Sequence, residues 1–223
     1  MTILTAHSGA DGFADNSFAF VRHALASVAD ALEVDVRRAS DGTLRLGHDE
    51  ADGALPSLAE VFALLAETPG KMINCDLKEP GLEEAVCALA RGHGLAGRVI
   101  LTGTADPELY AASPALRETA ALWINLEELV PGLYEGFLTD RAFPAKAAER
   151  ALEVCRSCGL DTVNLHWRLA IPAFAAPLEA AGVKLSVWTV NEEADIRRFL
   201  DAGVYALTTR NLETALKLRE EGV

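Results

Sequence analysis

A histidine, three carboxylates and a lysine stand at the ends of short apolar runs early in the chain. His7 closes Ile3–His7, Glu33 and Asp35 lie within Ala31–Arg37, and Asp76 and Lys78 end Lys71–Lys78. If these runs are strands, alternation puts Glu33 and Asp35 on one face, away from Leu32, Val34 and Val36. Carboxylates in line inside a protein are costly unless a cation or hydrogen bonds compensate them. Asp76 from the next strand completes an all-oxygen set suited to a hard divalent cation, Mg²⁺ or Ca²⁺. An inward salt-bridge layer with Lys78 and Arg37 would satisfy the same groups, and the pattern alone leaves both arrangements open.

The stretch after Asp35 adds a second imidazole. Asp41-Gly42 between two extended runs is a two-residue hairpin signal. A tight turn there pairs Ser40 with Thr43, and counting outward places His48 opposite Asp35.

These side chains need a frame that brings strand ends together. Further strand candidates are Arg98–Thr102, Ala121–Leu126, Thr162–His166, Lys184–Val190 and Tyr205–Thr209. Between the strands lie helical stripes, of which Leu58, Val61, Phe62 and Leu65 are the clearest. Ser57 with Glu60 fits a capping box, and Gly159, Gly182 and Gly203 fall where helices should stop. Alternating β and α units argue for a parallel sheet with helical crossovers. Eight such units in one chain predict an α/β fold, a closed (β/α)8 TIM barrel forming a single domain over residues 1–223. In a barrel the chemistry gathers at the C-terminal strand ends, where His166 and Trp188 also fall. Glu127–Phe143, with Pro131, Gly132 and Gly136, is the least periodic stretch and reads as a long loop.

Composition narrows the class. Half of the 223 residues are hydrophobic and 24% are charged, enough apolar surface for a substantial core. No apolar run approaches the roughly 20 residues of a membrane span, and the start MTILTAH lacks the layout of a signal peptide. Four cysteines without dense spacing suit reduced thiols and a cytoplasmic protein. The net charge of −13 opposes general binding to nucleic acid or anionic membrane. A phosphate substrate would need a local cation.

Across nearly its whole length the chain resembles the glycerophosphodiester phosphodiesterases of the PLC-like phosphodiesterase superfamily. The matching segments are AHSGADGFADNSFAF, LEVDVRRASDGTLRLGHDE and INCDLKEP, then LTGTADPELY, VNLHWRL and AGVKLSVWTVNEEADIRRFLDAGV. The resemblance implies a TIM barrel with a divalent metal, with His7 and His48 as acid and base and Glu33, Asp35 and Asp76 as metal ligands. It sets Lys78 near the phosphate, Trp188 and His166 along the pocket, and Asp15, Asn16 and Asp49 in support. Ser8 stands where the family has an arginine that forks onto phosphate, and a hydroxyl supplies neither the charge nor the fork. Asp15 and Asp76 each stand where glutamate is usual. The short stretch Glu50–Pro56 replaces a commonly inserted subdomain, which predicts a more open pocket.

The resemblance therefore implies a metal-dependent hydrolase of glycerophosphodiesters or lysolipid-type phosphodiesters, giving an alcohol and glycerol phosphate. Its rivals are a phospholipase D-like lyase that stops at a cyclic phosphate and a catalytically silent barrel that binds a metabolite.

Overall fold

The computed structural model describes residues 1–50 and 54–222. Strand β1 (Ile3–Ala6) leads through a short 3-10 turn to α1 (Phe18–Ala26), then to the hairpin β2 (Ala31–Arg38) and β3 (Leu44–Leu46) and to α2 (Leu58–Ala66). There follow β4 (Met72–Leu77), α3 (Glu83–Gly92), β5 (Val99–Gly103), α4 (Pro107–Ala112), α5 (Pro114–Thr119), β6 (Ala120–Leu122) and β7 (Ile124–Asn125). The chain continues through α6 (Leu126–Leu129), α7 (Leu133–Thr139), α8 (Phe143–Cys158), β8 (Thr162–His166) and α9 (Pro172–Ala180). It ends with β9 (Lys184–Trp188), α10 (Glu193–Asp201), β10 (Ala206–Thr209) and α11 (Leu212–Glu221).

The strands line up as β6-β5-β4-β2-β1-β10-β9-β8-β7, with β3 paired to β2 outside this row. Every neighbour in the row is parallel, and among the strands of the described residues only β3 runs antiparallel. The two ends of the row, β6 and β7, are separated in sequence by Trp123 alone. They are the halves of one interrupted strand, β6 bonded to β5 and β7 to β8, and the row returns on itself as a TIM barrel. The eight-unit reading of the sequence holds, with the fifth strand broken at Trp123.

Helices form where the stripes and caps demand them. Ser57 and Glu60 make the capping box of α2, whose Leu58, Val61, Phe62 and Leu65 are fully buried against the sheet. Inside the barrel, Ile100, Trp123 and Ala206 pack with Ile3, Met72 and Tyr205 into an apolar floor. Above that floor the interior turns polar: Thr5, Asn74, Thr102, Asn164, Ser186 and Thr208 are all buried. The change from oily floor to polar shaft points the chemistry at the C-terminal strand ends.

Two expectations need correction. Ala39 N–H donates to the Thr43 carbonyl (2.8 Å) and Gly42 N–H to the Ala39 carbonyl (2.9 Å), so the hairpin loop is the three residues Ser40, Asp41 and Gly42. Asp41 Oδ1 accepts from Thr43 N–H (2.9 Å) and Thr43 Oγ1 (2.6 Å), and Gly42 takes the left-handed conformation (φ 84) that closes such loops. With Val36 opposite Leu46 and Arg37 opposite Arg45, Gly47 rather than His48 faces Asp35. The second correction concerns Glu127–Phe143, read as a loop, which carries α6 and α7 and the start of α8. Helices of 4 and 7 residues are too short to display a period, and Gly132 and Gly136 mask them further. Gly136 is required because a Cβ there would fall 2.4 Å from the Phe143 ring.

Candidate active site

Parallel register brings the carboxylates together. Asp35 is the direct partner of Asp76 and Glu33 of Asn74, so all point into the barrel from adjacent strands. Glu33, Asp35 and Asp76 offer one oxygen each within 4.8 Å of one another. Glu33 and Asp35 are buried, and burial pushes the Glu33 carboxyl well above the usual carboxylate range, with Asp35 and Asp76 adding to the effect. Asp76 is raised for the same first reason, burial, against the pull of Lys78.

The surroundings hold these groups in place. Glu33 Oε2 accepts from the Ser8 backbone N–H (2.9 Å). Asn16 grips Asp35 twice, its Nδ2 donating to Oδ2 (2.8 Å) and its Oδ1 accepting the Asp35 backbone N–H (3.0 Å). Lys78 Nζ bridges Asp35 Oδ1 (2.8 Å) and Asp76 Oδ2 (2.6 Å). Burial alone would lower the Lys78 ammonium, but these carboxylates outweigh it and hold it raised and charged. Half of the salt-bridge layer weighed from the sequence is therefore present. Arg37 takes no part, donating instead to the His48 carbonyl (2.7 Å) and pairing with Glu79 at 3.5 Å.

Asp76 Oδ1 has no hydrogen-bond partner although it is buried. Gly103 makes room beside it, since a Cβ there would fall 2.2 Å from that oxygen. An orphaned carboxylate oxygen among three convergent acidic groups fits a hard divalent cation with oxygen ligands. The donor set contains no sulfur or imidazole within the cluster.

His7, just past β1, faces the carboxylates with Nδ1 3.7 Å from Glu33 Oε2. Its Nδ1 lies 2.8 Å from the Ser8 carbonyl, which can only accept, so Nδ1 carries the proton and Nε2 is the bare nitrogen of the neutral ring. Burial lowers its proton affinity, which keeps the ring neutral near pH 7. His48 sits at the mouth of the same cavity, its Nδ1 2.8 Å from Asp49 Oδ1, and both side chains are mostly exposed.

The cavity has a volume of about 520 Å³ and is lined by His7, Asp15, Glu33, Asp35, His48, Asp76, Lys78 and Trp188 among the residues expected from the sequence. Four expected residues stand apart from the lining, the exposed Asp49 beside His48 among them. Ser8 is fully buried, its Oγ accepting the Asn16 N–H (2.7 Å), and Asn16 lies behind Asp35. His166 packs edge-on against Trp188 with ring centres 5.6 Å apart. Of Glu50–Pro56, residues 51–53 lie outside the described residues, and the open-pocket expectation falls on them.

The far wall carries groups that sequence reasoning missed. Glu127 lines the cavity with a buried, unpartnered Oε2, while its Oε1 accepts from Tyr134 Oη (3.1 Å). Burial raises its carboxyl above the usual range. Tyr134 stands edge-on to His166 at 6.1 Å, and Trp188 Nε1 is buried without a partner. Arg210 lines the cavity beside β1. Extending the alternation Ala206, Thr208 by one step would have found Arg210, whereas nothing periodic announced Glu127.

A parallel barrel with convergent carboxylates, a neutral histidine and a lysine at its C-terminal mouth defines the class: a TIM-barrel hydrolase of phosphoric diesters. The family model for the glycerophosphoryl diester phosphodiesterase family matches residues 51–214, and the chain belongs to that family. A glycerophosphodiester phosphodiesterase of Caldanaerobacter subterraneus subsp. tengcongensis is 25% identical over 262 residues, covering 99% of each chain. One from Bacillus altitudinis is 26% identical over 261 residues with the same coverage. Among solved structures, one described as a glycerophosphoryl diester phosphodiesterase of Agrobacterium tumefaciens shares the fold with a TM-score of 0.77 at 19% identity, covering 100% of this chain and 98% of the other. An Oleispira antarctica phosphodiesterase, solved with sn-glycerol-3-phosphate as product, superposes with a TM-score of 0.73 at 18% identity over 97% and 96% of the two chains.

Proposed function

We propose that this chain is a metal-dependent phosphodiesterase that hydrolyses glycerophosphodiesters, or lysolipid-type phosphodiesters, to an alcohol and glycerol phosphate. The observation that carries this reading is the orphaned Oδ1 of Asp76 within the Glu33–Asp35–Asp76 cluster, whose residues line one cavity together with His7. Held by those three residues, Mg²⁺ or Ca²⁺ would neutralise phosphoryl oxygens and stabilise charge developing on them. The names of the curated relatives support a glycerophosphodiester substrate, and the Oleispira complex supports glycerol phosphate as product.

The chain's own groups divide the proton work. His7 Nε2 takes the proton from the attacking oxygen, water or a neighbouring substrate hydroxyl, as the new P–O bond forms. His48, at the mouth, donates a proton to the departing alcohol oxygen as the old P–O bond breaks. Lys78 holds Asp35 and Asp76 and keeps its charge beside the phosphate. Glu127 Oε2 and Trp188 Nε1, an acceptor and a donor with no partner of their own on residues of the lining, would take hydroxyls of the substrate. Four free thiols, all buried, support a reducing compartment such as the cytoplasm, and among the described residues no helix is long and apolar enough to cross a membrane.

The test is to strip the protein with EDTA, return Mg²⁺ or Ca²⁺, and follow glycerophosphocholine and a lysophospholipid by ³¹P NMR. Metal-restored release of glycerol phosphate from the first substrate, or of acylglycerol phosphate from the second, is expected. A persistent cyclic phosphate would establish the lyase, and metal-independent turnover or none at all would overturn the proposal.

A further inference from the structure

A phosphodiester entering the cavity brings an anion into a chamber walled by carboxylates, in a chain of net charge −13. Two permanently cationic side chains line that chamber among the described residues, Lys78 and Arg210. Lys78 is already committed to Asp35 and Asp76. Arg210 is not committed to the acidic cluster. It continues the inward alternation of β10, and its backbone is tied on both sides: N–H donates to Asn191 Oδ1 (2.9 Å) and C=O accepts from Asp11 N–H (2.8 Å).

Its guanidinium forks onto Asp15, Nη1 to Oδ1 at 2.7 Å and Nη2 to Oδ2 at 2.8 Å. The pair lies over the backbone of Gly9, where a Cβ would fall 1.9 Å from Asp15 Oδ1 and 2.9 Å from Arg210 Nη1. This places a fixed positive charge beside His7, close enough to depress the proton affinity of that ring. A guanidinium has five N–H donors, and a carboxylate fork uses two of them. Ser8 cannot serve as a phosphate ligand here, since its side chain is fully buried and occupied by Asn16.

We propose that Arg210, oriented by Asp15, is the phosphate clamp of this enzyme, donating to a phosphoryl oxygen from the β10 side of the cavity in place of the arginine that related chains carry next to the first histidine. Arg210 touches the substrate and Asp15 is a positioning residue. The assignment borrows only the nature of the anion from the phosphodiesterase reading.

The test is binding, independent of turnover. Inorganic phosphate and sn-glycerol 3-phosphate are titrated calorimetrically into the full chain, with Mg²⁺ and without, for wild type, Arg210→Gln, Arg210→Lys and Asp15→Asn. Arg210→Gln should weaken both anions roughly ten- to a hundredfold, the scale of a lost charge-assisted hydrogen bond. Arg210→Lys should fall between wild type and Arg210→Gln, Asp15→Asn should cost a few-fold at most, and Mg²⁺ affinity without phosphate should not change. Undiminished anion affinity in Arg210→Gln overturns the clamp, as does equal loss in Arg210→Gln and Asp15→Asn, which would make the pair a scaffold. Absence of phosphate binding by wild type overturns it too. If Arg210→Gln melts early, Arg210→Lys decides, because it keeps the ion pair and loses only the fork: weaker anion binding supports the clamp and unchanged binding overturns it. Arg210-dependent phosphate binding in a protein that hydrolyses no phosphodiester would leave the clamp standing and remove the phosphodiesterase reading. Turnover with anion binding indifferent to Arg210 would do the reverse.

Discussion

On one side of the cavity, β1, β2 and β4 present His7, Glu33, Asp35 and Asp76 from strand ends, with the two β2 carboxylates buried and held by Ser8, Asn16 and Lys78. On the other, Glu127 and Tyr134 ride on the short helices α6 and α7, while His166 and Trp188 end β8 and β9 and meet edge-on, half-buried. The acidic wall is electrostatically costly, and Lys78 compensates two of its three carboxylates. The aromatic wall carries single unpartnered polar atoms, Glu127 Oε2 and Trp188 Nε1. The division suggests that reaction chemistry is fixed on the strands while choice of alcohol lies with the helices. That matches how loops and short helices diversify barrel enzymes on a constant frame.

The comparison breaks most visibly at Glu33. Glu33→Gln is expected to abolish Mg²⁺ or Ca²⁺ binding and lower turnover by more than about 10³-fold, beyond the scale of a single lost transition-state donor. The metal-free variant should melt no lower than wild type, because the substitution removes a buried charge. Calorimetric metal titration with parallel melting curves reads both. Retained metal affinity would take Glu33 out of the ligand set, and absence of metal binding by wild type would leave the acidic wall a salt-bridge layer.

The histidines sharpen it next, since one belongs to the acidic wall and the other to a hairpin. His7→Ala should cost about 10³–10⁴ in kcat and His48→Ala about 10², the upper and lower parts of the range for general acid–base groups. The half-buried, oriented His7 has no substitute, whereas water reaches the exposed position of His48. Equal losses would mean that substrate binding closes His48 into as fixed a geometry as His7.

Much of the acidic wall was legible because strands advertise themselves by period two. Glu33 and Asp35 could be put on one face from sequence, and register with β4 then made Asp35 and Asp76 neighbours. The hairpin register was misjudged because Asp41 and Thr43 hydrogen-bond locally and stretch the loop to three residues, a choice of turn that Asp-Gly alone does not settle. His48 still reaches the cavity, one position beyond where counting placed it. The far wall was largely illegible. Glu127 and Tyr134 sit on helices too short for periodicity, and their placement depends on tertiary packing of Phe137 on Phe143 and Phe174.

Asn16 tests whether orientation within the acidic wall matters in itself. It occupies the left-handed region (φ 55), and its amide is the fixed cradle of Asp35. Asn16→Gly removes that amide without backbone strain, so loss of orientation is isolated from loss of fold. Metal affinity or turnover should fall about 10- to 100-fold, the usual consequence of removing a partner that orients a ligand. Competition titration against a fluorescent chelator reads the affinity, and an unchanged value would mean that Lys78 alone orients Asp35.

The smallest effect concerns the aromatic wall and is read in stability rather than rate. Burial raises the Glu127 carboxyl above its ordinary value of 4.5. A carboxyl raised in the folded state keeps its proton after the unfolded chain has lost it, so folding loses stability as pH climbs from the unfolded value through the folded one. Above that window the loss is complete and constant, and below the unfolded value it is absent. Glu127→Gln keeps an oxygen for Tyr134 Oη and has nothing to titrate. The melting temperature of the variant minus that of wild type should therefore be lowest near pH 4, rise across the window and level off towards neutrality. Any fixed cost of burying the new amide shifts the whole curve without altering its slope, so the slope is the measurement. Working in EDTA leaves the acidic wall metal-free in both proteins and cancels its contribution. A difference that is flat between pH 4 and pH 7 would mean that Glu127 ionises in the folded chain as it does in water. The far wall would then be wet, and the contrast between a dry recognition surface and a charged reaction surface would fail.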